Sequence, residues 1–191
     1  MRIALYMGSF NPIHNGHLAL AKHIVLSNEA DELWFVVSPN NPLKDQNELL
    51  DEHIRLEMTV LAIEQNNKLK VSDIEFGMPL PSYSIDTLRK LKNEFPQHTF
   101  VLLIGSDNAL VFDKWKDHEQ LLAEFEVLVY PRRGYDFEAV QSLYPTMRKL
   151  NTPYYDISST QIRNAIRNQR PFEQYLPKFV ADFITENQLY L

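Results

Sequence analysis

Arg2-Ile3-Ala4-Leu5-Tyr6-Met7-Gly8-Ser9-Phe10-Asn11-Pro12-Ile13-His14-Asn15-Gly16-His17 opens the chain, and the rest of the fold is read outward from it. Arg2 to Met7 is a short apolar run of the kind a buried strand shows. From Gly16 to Glu29, Leu18, Ala21, Ile24 and Val25 recur at helical spacing. A strand therefore passes through a polar loop into a helix. Pro12 stiffens that loop, and Gly8 and Gly16 let backbone approach a ligand closely. The helix start offers free N–H groups and a positive dipole end, which suit phosphate. His14 and His17, three apart, face the same way if the helix begins between them. Two imidazoles there can donate hydrogen bonds to oxygens on which charge develops. The plainer readings are two surface histidines or a metal pair.

The same alternation continues along the chain. Asp31 to Ser38, with Leu33-Trp34-Phe35-Val36-Val37, is an apolar run expected of a strand covered on both faces. Helix is expected over Asp51 to Gln65, strand over Leu69 to Ile74, helix over Ser84 to Phe95 and strand over Thr99 to Ile104. Asp117 to Phe125 reads as helix and Glu126 to Tyr130 as strand, while the pattern weakens from Asp136 to Tyr155. Ser159 to Asn168 and Pro177 to Gln188 read as closing helices. The expectation is an α/β, doubly wound, mostly parallel sheet of five to six strands with C-terminal helices, binding its ligand at the carboxyl ends of the strands. Residues 1–191 read as one domain, with 157–191 packed on it as a helical segment.

Composition removes alternatives. The five glycines, at 8, 16, 77, 105 and 134, are never two, four or five apart, so G-x-G-x-x-G, G-x-S-x-G and G-x-x-x-x-G-K cannot occur. The six histidines contain no i, i+4 pair, which excludes H-E-x-x-H, and the absence of cysteine excludes thiolate chemistry and disulfides. A net charge of −6 argues against a nucleic-acid coat. No apolar stretch approaches membrane-spanning length and no signal segment is evident, so an unexported, cytoplasmic protein is expected. Residues 132–170 run against the overall charge, with seven cations facing three carboxylates, and an anion is expected there.

A second constellation, Ile157-Ser158-Ser159-Thr160-Gln161-Ile162-Arg163, puts three hydroxyls at a helix start and an arginine one turn inside. Ser158 or Ser159 can be a plain N-cap. With the basic segment around it, the same start reads as a second anion cradle.

The H-x-G-H loop and the C-terminal I-S-S-T-x-I-R together resemble the nucleotidylyltransferase superfamily, which has a Rossmann-like fold. Pro81-Ser82-Tyr83-Ser84-Ile85-Asp86-Thr87-Leu88, Ile104-Gly105-Ser106-Asp107, Phe112-Asp113-Lys114-Trp115, Arg133-Gly134-Tyr135 and Tyr175-Leu176-Pro177-Lys178-Phe179-Val180 extend the resemblance over nearly the whole chain. They are similar to the bacterial nicotinate-nucleotide adenylyltransferases. The resemblance implies transfer of AMP from ATP to nicotinate mononucleotide by in-line displacement, giving nicotinate adenine dinucleotide and pyrophosphate. It implies Mg²⁺ held mainly by the ATP phosphates, with no protein metal cage, and it permits a homo-oligomer.

Carried over residue by residue, His17, His14, Lys44 and Arg163 are the catalytic candidates. Gly8, Ser9, Phe10, Gly105, Asp107, Ser158, Ser159 and Thr160 join His14, His17 and Arg163 in binding ATP. Ser9, Phe10, Lys44, Tyr83, Ser84, Trp115, Lys116 and Arg133 would bind the mononucleotide. Trp115 also reads as a core aromatic, Asp107 as a helix-start acid and Lys44 as a solvated charge. Asn11, where the family usually has Asp, and Leu43, where it often has His, depart from the pattern. Pantetheine-phosphate adenylyltransferase, or a silent nucleotide-binding regulator, is the competing reading.

Overall fold

The computed structural model describes residues 1–39, 48–63 and 66–191. Strands β1 (Arg2–Gly8), β2 (Glu32–Val37), β3 (Leu69–Ser72), β4 (Thr99–Gly105), β5 (Glu126–Tyr130) and β6 (Arg148–Lys149) form one sheet in the order β3-β2-β1-β4-β5-β6. Every neighbouring pair is parallel. The order runs outward one way from β1 and the other way from β4, so a crevice opens at the carboxyl ends of these two strands. The doubly wound α/β architecture expected from the alternation is the one observed.

The described helices are α1 (Asn15–Leu26), α2 (Glu52–Ile63), α3 (Ser84–Glu94), α4 (Ser106–Ala109), α5 (His118–Glu124), α6 (Phe137–Leu143), α7 (Ser159–Arg167) and α8 (Lys178–Glu186). Alternate strand residues feed two separate cores, because successive side chains point to opposite faces. Ala4, Tyr6, Leu33, Phe35, Val101 and Leu103 pack with Ile24 of α1, Met58 of α2, Ile162 of α7 and Val180 of α8. Ile3, Leu5, Leu102 and Val129 pack on the other face with Leu88 of α3, Leu121 of α5 and Val140 of α6. Among the described residues no helix is long and apolar enough to cross a membrane.

Two departures have local causes. The strand expected to reach Ile74 ends at Ser72, whose hydroxyl accepts the Ile74 N–H (3.3 Å) and turns the chain into a 3-10 turn over Ile74–Gly77. The weak stretch after Asp136 contains α6 and the exposed edge strand β6. Arg148 pairs there with Glu126 at 3.1 Å, and a charged two-residue edge has neither apolar alternation nor length to read.

Candidate active site

The H-x-G-H loop leaves β1 at Gly8, and α1 begins immediately after His14. His14 is the N-cap. The His17 N–H donates to His14 Nδ1 (3.3 Å) and the His14 N–H donates to His17 Nδ1 (3.2 Å), a reciprocal capping box built from two imidazoles. Because each Nδ1 accepts, each neutral ring carries its proton on Nε2. The rings stack at 3.6 Å and 18°. A Cβ on Gly16 would stand 3.1 Å from the His14 ring, so glycine is what lets that ring lie against the first helical turn. Phe10 adopts φ 45°, rare for a bulky residue, and sets its ring edge-on to His17 at 5.2 Å. Burial first, and the nearby positive charge of Arg132 second, bring His14 down to about 3. It is therefore a neutral N–H donor at physiological pH.

The pair faces a cleft of about 400 Å³, whose walls include Tyr6, Tyr130, Arg132, Arg133, Tyr154 and Ser158. Tyr6 and Tyr130 share a hydroxyl contact of 3.2 Å, and burial pushes both phenols up, which keeps them neutral. At the end of β4, Ser106 Oγ accepts the Arg132 N–H (2.9 Å) and fixes the turn after β5. Among the described residues Asp107 Oδ1 is buried without a hydrogen-bond partner, while Oδ2 lies 3.7 Å from Arg132 Nε. A buried carboxylate oxygen left open is ready for a ligand hydroxyl. Gly105 is required beside it, since a Cβ there would collide with Asp107 Oδ1.

On the facing side, Ser158 is the N-cap of α7. Its Oγ accepts the Gln161 N–H (3.2 Å), and the Gln161 side chain accepts the Ser158 N–H (3.1 Å). Ser159 Oγ donates to Pro12 O (2.9 Å), which binds the start of α7 to the histidine loop. Arg163 donates to Asn11 O (3.0 Å) and pairs with Glu48 (2.9 Å), and its Nη2 stands 3.5 Å from Thr160 Oγ1. Arg167 takes the other Glu48 oxygen at 2.6 Å. A carboxylate thus sits between the two guanidinium groups, the kind of partner an anion cradle holds. The structure places His14, His17 and Ser158 on one cleft, while Ser159 and Arg163 are tied to the histidine loop through Pro12 O and Asn11 O.

Asn11 has a local explanation. Its Nδ2 donates to Glu48 O (2.8 Å), while Oδ1 accepts from the Tyr190 hydroxyl (2.8 Å) and the Leu50 N–H (3.4 Å). A carboxylate could accept but could not make the donation to Glu48 O.

Tyr83, Ser84, Trp115 and Lys116 gather at the start of α3. Lys116 pairs with Asp86 (2.8 Å) and lies 4.9 Å over the Tyr83 ring. Tyr83 is the N-cap of α3, and its side chain makes no cap hydrogen bond to the first turn of the helix. Buried Glu75 accepts from Ser82 Oγ (2.7 Å) and Thr87 Oγ1 (2.8 Å) and braces this turn. Trp115 stacks obliquely on Phe112 at 5.1 Å, and among the described residues its buried Nε1 has no hydrogen-bond partner. Arg133 stands apart from this group: it lines the cleft with His14 and pairs with Asp156 at 2.7 Å. Lys44 and Leu43 lie outside the described residues.

Arg132, Tyr154, Asp156 and Glu48 were not singled out by the sequence reading. Arg132 was legible only as one charge in a basic segment. Arg55 was hidden on an amphipathic helix, where an arginine ordinarily reads as solvated surface.

A family model described as cytidylyltransferase-like matches residues 5–165, and the chain belongs to that family. The chain is 42% identical over 191 residues to a protein of Flavobacterium johnsoniae named probable nicotinate-nucleotide adenylyltransferase, covering 100% of this chain and 99% of that one. It is 44% identical over 175 residues to the protein of the same name from Bacteroides fragilis, covering 92% and 87%. The fold is that of Plasmodium falciparum nicotinic acid mononucleotide adenylyltransferase complexed with NaAD, with a TM-score of 0.85 at 24% identity, covering 99% of this chain and 97% of that one.

Proposed function

We propose that this chain transfers AMP from ATP to nicotinate mononucleotide, giving nicotinate adenine dinucleotide and pyrophosphate, in the cytoplasm. The observation that carries the reading is the locked histidine pair, two stacked imidazoles whose Nδ1 atoms each accept from the other's backbone N–H at the start of α1, on the wall of the cleft. Donors held in place before the reaction stabilise charge as it develops, without reorganising. An oxygen of the mononucleotide phosphate attacks the α-phosphorus of ATP. A new P–O bond forms as the bond to the bridging oxygen breaks, and its electron pair leaves with pyrophosphate. No covalent intermediate with the protein is needed, and positioning and electrostatics supply the rate.

In this reading Asp107 Oδ1 receives a ribose hydroxyl, and Ser158, Ser159, Thr160 and Arg163 form the pyrophosphate end. Gly8, Ser9 and Phe10 border the transferred phosphate, and the family resemblance gives Lys44 a phosphate-contacting role. Tyr83, Ser84, Trp115 and Lys116 hold the pyridine ring, and Arg133 meets the mononucleotide from the cleft that it lines with His14. Imidazole N–H, hydroxyl and guanidinium groups favour anions over bare cations, so Mg²⁺ fits as a passenger on the triphosphate. Bound there, it would neutralise charge on the leaving pyrophosphate. The test is a panel of ATP or CTP with nicotinate mononucleotide, its amide and 4′-phosphopantetheine, read as pyrophosphate release and dinucleotide formation. Turnover with the acid mononucleotide and ATP is expected; turnover only with 4′-phosphopantetheine, or with none of them, overturns the reading.

A further inference from the structure

Arg55, on α2, is 0% exposed, and among the described residues no carboxylate lies within ion-pair distance of it. Among the described residues its guanidinium donates to carbonyls alone. Nη1 donates to Ser9 O (2.7 Å) and Ser38 O (2.8 Å), Nη2 to Pro39 O (3.1 Å) and Nε to Leu50 O (2.8 Å). These acceptors belong to three segments: the exit of β1, the exit of β2 and the approach to α2. The pairing of β1 with β2 makes its last ladder bond from the Ser38 N–H to Gly8 O (2.9 Å). Beyond that point the two chains part, and buried carbonyls need other donors. Arg55 takes over where the ladder stops. An apolar side chain would fill the volume more cheaply than a buried charge, so the fork does more than pack.

We propose that Arg55 is a positioning residue for the histidine pair, holding Ser9, and with it the loop that carries His14 and His17, in register with the exit of β2. The inference rests on the reading above, in which that pair meets the α-phosphate. The planar fork reaches several carbonyls at once, which the ammonium of a lysine cannot do while keeping the same charge.

Arg55→Lys is therefore the test, with Arg55→Gln as the second variant should the first not fold. Assayed well below its own melting midpoint, the variant is expected to lose roughly tenfold or more in kcat, the scale of a small misplacement of reacting groups. In a His17→Ala background the same substitution should cost less than about twofold further, because its effect passes through the pair. The ring resonances of His14 and His17 should shift by NMR while those of His23 stay in place, a readout independent of turnover. A kcat within about twofold of the wild type, losses that multiply fully with His17→Ala, or unmoved His14 and His17 resonances each overturn the proposal. Wild-type turnover is read first. Its absence removes the adenylyl-transfer reading, whereas an active wild type with an unimpaired Arg55→Lys removes only the role of Arg55.

Discussion

Histidine is not among the residues that lead at helix N-caps, where Ser, Thr, Asp and Asn do. His14 holds the position because its Nδ1 has the reach of a cap oxygen and its ring finds a stacking partner in His17. The arrangement carries a pH cost. His14 titrates at about 3 in the fold against 6.5 in the open chain. Between those values the unfolded chain binds the extra proton, so stability is complete above pH 6.5 and falls as pH drops toward 3. At about 1.4 kcal/mol per unit, this one residue removes on the order of 5 kcal/mol across the window. His14→Asn keeps a capping oxygen and does not titrate. Chemical denaturation should show it gaining on the wild type as pH falls from about 6.5 to 4, and parallel curves would disprove the assignment. His17→Ala should lower kcat by roughly 10²–10³, as loss of a donor aimed at the transition state does. His23→Ala, six residues further along α1, is the control and should be kinetically silent. A drop below threefold for His17→Ala would dismiss its role, as judged by kcat/KM with ATP varied.

At the level of elements, α7 combines two functions that substitution can separate. Ser158 closes the helix start, whereas Arg163 reaches across to Asn11 and Glu48. Ser158→Ala should cost about 1 kcal/mol of stability through the lost cap. Arg163→Lys keeps the helix but loses the fork, so ATP affinity should fall at least about fivefold while the melting midpoint stays close to the wild type. Calorimetric ATP titration beside thermal unfolding separates these outcomes, and unchanged ATP affinity in both Arg163→Lys and Arg163→Ala would make the helix structural only. The start of α7 was readable because its cap chemistry lies within four consecutive residues. β6 was not, since two charged residues at a sheet edge carry no period. The 3-10 turn after β3 followed from one serine hydroxyl, a contact that apolar spacing does not register.

Across the whole molecule, the proposed function gives Trp115 to the mononucleotide and not to ATP. Trp115→Ala should therefore weaken the acid and amide mononucleotides together and leave ATP affinity intact. Stacking on an indole face does not distinguish a carboxylate from a carboxamide. Discrimination falls to N–H donors at the uncapped start of α3, which satisfy a carboxylate and leave a carboxamide mismatched by about 1–3 kcal/mol. The acid should be favoured in side-by-side kcat/KM values, with the ratio preserved in Trp115→Ala. A ratio near one in the wild type would remove the nicotinate preference.

Order along the chain was enough to define the alternation of strand and helix, the loop with His14 and His17, and the serine-rich start of α7. Periodicity, turn chemistry and capping act between residues a few positions apart, so they are written where they operate. Partners distant in sequence were decided by packing. Ser159 reaches Pro12 across 147 positions and Tyr190 reaches Asn11 across 179. Arg132 comes to His14 because β5 lies two strands from β1, and Arg133, next in the chain, turns to Asp156 instead of Trp115. Arg55 is the sharpest case. A lone arginine in a helical pattern reads as surface, and only the divergence of β1 from β2 makes a buried site with carbonyls to satisfy. Such contacts depend on which strands become neighbours, and no local rule of spacing contains that information.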